Sequence, residues 1–130
     1  MATNILIRTL LVGVLAVSML AAAKPTKKSA VVTFATQTMI VDAFAQGTVL
    51  FEHDDGRMAR GEPCTTVYEF DATTNERGRV IVEFMCLPRE RPVASKFEAI
   101  CSRAAIGGPD KLVEYQFAGD REGHGVPFSR

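Results

Sequence analysis

Few side chains in this chain could hold a metal or move a proton. There are two histidines and three cysteines, at His53, His124, Cys64, Cys86 and Cys101. The densest group is His53, Met58 and Cys64. Such a set suits copper, whose reduced form prefers soft sulfur donors. Asp54-Asp55-Gly56 follows His53, and Asp-Gly tolerates the positive φ values of a tight hairpin. That hairpin would set His53 opposite Met58, which makes those two residues the candidate metal ligands. Blue-copper proteins bring Cys, His and Met close together in that order, and this chain does not.

The cysteine spacing excludes C-x-x-C redox chemistry and the usual zinc pairs. Cys64 and Cys86 are the candidate disulfide, each in a strand-like stretch. A loop over Thr73–Arg77 sets Cys64 directly opposite Cys86. A shorter loop ending at Gly78 sets Cys86 against Tyr68, and the sequence leaves both registers open. A bond between them would contribute about 2–4 kcal/mol, chiefly by constraining the unfolded chain. Cys101 is left as a buried, inert thiol.

Catalytic motifs are absent from the sequence. There is no G-x-S-x-G elbow and no papain-like cysteine context, so no catalytic residue is assigned. Asp54 and Asp55 lack the spread of ligands that an EF-hand loop requires. The chain has no tryptophan and two tyrosines, a poor supply of aromatic platforms for sugars. Arg89-Glu90-Arg91 reads as a solvated charge run. No cofactor motif is present.

The amino-terminal residues carry a different kind of signal. Residues 1–23 join a positively charged start with Arg8, an uncharged apolar run over 9–20, and Ala21-Ala22-Ala23. This is the pattern of a cleavable signal peptide. It predicts a mature protein from Lys24, exported to a periplasm or secreted. The apolar run is short against the roughly 20 residues of a membrane span, and no later segment could span a bilayer. Of 15 basic and 15 acidic side chains, cleavage removes Arg8 alone. A near-neutral mature chain argues against a nucleic-acid partner, which calls for a basic surplus.

Hydrophobic periodicity supplies the elements that must position these residues. Residues 24–29 read as a flexible basic arm, and 30–118 as a single globular domain. Strands are expected over 30–39 and 48–53, with a break at Gly47. Cys64–Phe70 and Val80–Cys86 alternate as the two arms of a hairpin, with Tyr68, Phe70, Val80, Val82 and Phe84 on its core face. Ser95 and Glu98 form a capping box. Phe97, Ile100, Cys101, Ala104 and Ala105 follow at helical spacing, and Gly107-Gly108-Pro109 ends the stretch. This predicts a helix over 95–106, a last strand over 112–118 and a mobile Gly-rich tail over 119–130. The expected fold is α+β, a small antiparallel sheet of four to five strands packed against one helix, in the order β-β-β-β-α-β. With no coherent acid–base or nucleophile set, the expected function is a non-enzymatic exported domain that binds a protein partner or small ligand. The alternatives are copper or other metal handling through the His53/Met58 hairpin, and a small hydrolase.

Overall fold

A computed structural model describes residues 26–103 and 106–128. The signal-peptide segment lies outside the described residues. Two long strands come first, β1 (Lys27–Ile40) and β2 (Ala43–Asp54), joined through Val41-Asp42. Val41 has a φ of 59°, a left-handed conformation that costs such a residue about 1–2 kcal/mol. Its side chain packs against the core, which offsets part of that cost. Gly47 does not break β2. It pairs with Phe34 at a φ of 80°, and the register shifts between Phe34 and Thr38. Residues 35–37 of β1 there face the single Gln46 of β2, so the bulge lies in β1 opposite the glycine.

Asp54-Asp55-Gly56 does not close a tight hairpin either. Asp54 caps a one-turn helix, α1 (Asp55–Ala59), its carboxylate accepting the N–H groups of Gly56 and Arg57. The same short acidic side chains that suit a turn also suit a helix start. Next comes the expected hairpin, β3 (Thr65–Asp71) and β4 (Glu76–Phe84). Its turn is held by Asp71, which accepts the backbone N–H of Thr73 and Thr74, and by Asn75 at a φ of 57°. Thr65 pairs with Phe84 and Val67 with Val82, and two register shifts beside Tyr68 bring Phe70 to Arg77. Neither register expected from the sequence is the one formed. Its core face is partly the expected one: Val82 and Phe84 are buried, but Tyr68 and Phe70 are half-buried, Val80 is exposed, and Thr65 and Val67 are buried. Both shifts put the extra residue in β4, at Ile81 and at Gly78-Arg79, so Val80 falls out of step with Val82 and Phe84.

The remaining strands are β5 (Leu87–Glu90), β6 (Glu98–Ser102), β7 (Asp110–Gln116) and β8 (Glu122–Gly125). All eight belong to one sheet in the order β4-β3-β2-β1-β7-β8-β5, with β6 on β7. Every pairing is antiparallel except β1 with β7. The fold is therefore nearly all β and not α+β, and its sheet is mixed rather than antiparallel. Among the described residues the five-residue α1 is the only helix.

In place of the expected helix over 95–106 the chain forms β6 over Glu98–Ser102, and residues 104–105 lie outside the described residues. Phe97, Ala99 and Cys101 are half-buried, while Glu98, Ile100 and Ser102 are exposed. The segment therefore carries a period of two as well as a helical stripe, and so short a run does not separate the periods. Pairing with β7 from Glu98 to Ser102 decides between them, because tertiary context overrides local propensity. β1 begins inside the segment read as an arm, and β8 lies inside the segment read as a tail.

β4 and β5 stand at opposite ends of the sheet order, yet only Met85 and Cys86 separate them in the chain. A two-residue link cannot reach further than about 10 Å. The sheet must curl until its two ends meet, as a closing barrel does. Inside lie Phe51 and Tyr115, both fully buried, with ring centroids 5.1 Å apart. Phe97, Phe117 and Phe84 pack around them.

Candidate functional site

The seam where the sheet closes gathers almost all the chemistry in the chain. On β2, Val49, Phe51 and His53 occupy successive inward positions and are 1%, 0% and 2% exposed. His53 therefore continues a core-facing row. Cys86 follows β4 in step with the buried Val82 and Phe84 and is 6% exposed. His124 is 3% exposed and sits on β8 between two glycines. A β-carbon at Gly123 would meet Arg91 Cγ at 3.0 Å and Glu114 Cδ at 3.1 Å, and one at Gly125 would meet Arg89 Nε at 3.0 Å. The glycines thus let the Arg89, Arg91 and Glu114 side chains lie flat on one face of β8. Side chains alternate across a strand, so His124 projects to the other face, stacked on Tyr115 at 4.8 Å.

Three strand ends thereby converge on one point. Cys86 Sγ lies 3.4 Å from His53 Nε2 and 3.5 Å from His124 Nδ1. The three donor atoms lie within 4.8 Å of one another, and the two imidazole rings are 4.3 Å apart. Cys64, just before β3 and 2% exposed, brings its sulfur to 2.8 Å from Cys86 Sγ and accepts the Cys86 N–H at 3.2 Å. Both cysteines are free thiols, and 2.8 Å is longer than the about 2.05 Å of a disulfide. Behind them Tyr115 OH makes a short hydrogen bond with Thr65 Oγ1.

Electrostatics keep the imidazoles neutral. Burial lowers the His53 pKa against the pull of Asp55, Glu122 and Asp54. Burial, then the neighbouring His53, lowers that of His124 to about 4. At neutral pH both rings have a nitrogen lone pair to offer. The Cys86 thiol is pushed up to about 12, by burial and then by its hydrogen bond with Cys64. A thiol held in its protonated form is a poor nucleophile, which weighs against a cysteine hydrolase built on the same three residues. A metal ion reverses that preference, since coordination removes the thiol proton outright.

The donor set can be tested against metal geometry. Zinc–sulfur bonds of about 2.3 Å and zinc–nitrogen bonds of about 2.0–2.1 Å place tetrahedral sulfur and nitrogen ligands roughly 3.5 Å apart. The two sulfur–nitrogen separations here match that edge. His53 also has the outer partner typical of a ligating imidazole: its Nδ1 lies 3.2 Å from Asp55 Oδ1, leaving Nε2 turned to Cys86. Asp55 is held in turn by Thr26 Oγ1 at 2.7 Å. Glu122 Oε1 stands 3.7 Å from His124 Nδ1. Both histidines border an open cleft of about 520 Å³. Its rim carries Lys28, Arg89 and Arg121 against Asp55, Glu90, Asp120 and Glu122, a balance that favours cations.

Of the residues singled out from the sequence, His53 belongs to this cluster. Met58 lies on α1, packed against the core, because α1 replaces the hairpin that was to bring them together. Cys64 and Cys86 are neighbours, as expected, though not bonded. Cys101 lies on β6 opposite Leu112. Sequence reasoning did not bring His124 or Cys86 into the candidate metal group. The signals were the parity of Cys86 with Val82 and Phe84, and a histidine flanked by two glycines. No protein-family model, curated protein or solved structure matches this chain.

Proposed function

We propose that this chain is an exported, non-enzymatic metal-binding domain that holds one copper or zinc ion between His53, Cys86 and His124. One observation carries the reading. Three buried donor side chains from separate parts of the sheet converge where an all-apolar core would otherwise stand, with the Cys86 sulfur at ligand–ligand spacing from both imidazole nitrogens. Imidazole suits both ions and thiolate favours them further. The cation-favouring rim supports entry from the cleft side. Export is consistent with the signal-peptide pattern of residues 1–23.

The test is a titration of the reduced mature protein with Zn(II), and separately with Cu(I), followed by native mass spectrometry. One ion per chain is expected, lost in both His53→Ala and His124→Ala and kept in Met58→Leu. Stoichiometric binding that survives both histidine substitutions would reject the site. A second reading, a protein-docking surface, is favoured by the cross-strand row Val31, Leu50, Tyr68 and Val80. Its end members are 46% and 44% exposed. A photo-crosslinker placed at Val80 tests it, and labelling no greater than at exposed Arg79 would count against it.

A further inference from the structure

The Cys86 sulfur is shared by two arrangements that exclude each other. On one side stand the two imidazole nitrogens at 3.4 and 3.5 Å. On the other stands Cys64 Sγ at 2.8 Å. We infer that Cys64 is the switch thiol of the metal site: oxidation by a peroxide joins it to Cys86, and the disulfide expels the ion. This rests on the metal reading above and adds its regulation.

The chemistry balances without further reagents. The peroxide O–O bond breaks, and one sulfur becomes a sulfenic acid as the first water leaves. The second thiol attacks that sulfur, the S–S bond forms and a second water carries away the remaining oxygen. Two thiols are oxidised by two electrons and one hydrogen peroxide is reduced to two waters. Closing the gap from 2.8 Å to about 2.05 Å needs the two sulfurs to approach by less than an ångström. Cys64 and Cys86 flank a hairpin already fixed by the β3–β4 pairing.

Both sulfurs are buried and Cys86 is held as a thiol, so oxidation is slow, and a small peroxide suits the site better than a protein dithiol, which must bring its own sulfur into contact. Once bonded, Cys86 has no thiolate to donate, and thiolate is the form that binds metal. Losing an outer-shell partner of a ligand already costs about 10–100-fold in affinity. Losing one of three ligands costs about a hundredfold or more on the same scale. Linkage makes the effect reciprocal at equilibrium, and while the ion holds Cys86 its sulfur is not free to bond to Cys64, so a bound ion slows disulfide formation. A Cys64 without this role would be a spare thiol wedged against a ligand.

The experiment uses the Cys101→Ser protein, which keeps only the two thiols in question, alongside the wild type. Reduced protein is first loaded with Zn(II) and its occupancy read by native mass spectrometry. Metal-free and loaded samples are then treated with one equivalent of hydrogen peroxide. The expected result is that molecules lighter by two hydrogens carry no zinc, that dithiothreitol restores binding, and that loaded protein oxidises at least tenfold more slowly. Molecules carrying both the disulfide and the ion would overturn the switch while leaving the metal site standing. So would peroxide treatment of metal-free protein that yields no disulfide. Reduced protein that takes up no ion would overturn the metal reading, and the switch with it.

Discussion

Acidification from pH 6.5 to 4.5 is expected to weaken the metal-free fold through its buried histidines. His124 would titrate near 6.5 in an unfolded chain, and the folded protein holds it at about 4. Above pH 6.5 neither state carries the proton and the group has no effect on stability. Below 6.5 the unfolded chain takes up a proton that the folded chain refuses. Stability then falls by up to about 1.4 kcal/mol per pH unit. Over two units that is roughly 2–3 kcal/mol from His124 alone, and the loss levels off below the folded value. His53, also lowered by burial, acts in the same direction. Such a loss is a large part of the about 5–15 kcal/mol typical of a domain. The assay is urea unfolding at pH 7, 6 and 5 with a chelator present, comparing wild type with His124→Phe. Phenylalanine keeps an aromatic ring against Tyr115 and Phe117 and removes the titrating site. The wild-type stability should fall more steeply with acid, by close to one proton. Parallel slopes in the two proteins would refute the reasoning.

Other consequences concern the thiols, the β8 face and the core. Brief alkylation of the native reduced protein should label Cys101 first, with Cys64 and Cys86 reacting only on unfolding; peptide mass mapping reads the order. Gly123→Ala places a methyl 3.0–3.1 Å from Arg91 and Glu114 and should destabilise by about 1–3 kcal/mol through overpacking, visible as a lower urea midpoint. Glu114 is held below the usual carboxylate range first by its Arg91 hydrogen bond. Its contribution is therefore present above pH 4.5 and lost as pH falls further, a break that Glu114→Gln should remove from the stability profile. Phe51→Ala empties a fully buried ring site and should cost about 3–5 kcal/mol, measured by the same unfolding curves.

Where the sequence could be read, it was because one period dominated. Val82, Phe84 and Cys86 do face inward as their alternation suggests, while Val80, of the same parity, is exposed. The hairpin that β4 forms with β3 was legible for the same reason, while its register was not. Bulges beside Tyr68 depend on how β3 meets β2 and β4 together, which no local pattern encodes. The stretch from Phe97 to Cys101 carried two periods at once, and the edge of β7 chose the strand. Asp54 and Asp55 were recognised as turn formers, but a capped helix and a hairpin draw on the same side chains. Of the site, His53 was visible as a candidate metal ligand, and Cys64 and Cys86 only as a candidate disulfide pair. His124 was hidden because a Gly-rich end resembles a tail, and its glycines serve Arg89, Arg91 and Glu114 lying across β8.

X-ray absorption of the zinc-loaded, reduced protein tests the central claim most directly, because it reads the ligands rather than the occupancy. The account predicts a first shell with one sulfur at about 2.3 Å and two imidazole nitrogens at about 2.0–2.1 Å, the sulfur contribution vanishing in Cys86→Ser. A shell of oxygen and nitrogen alone in the wild type would contradict it.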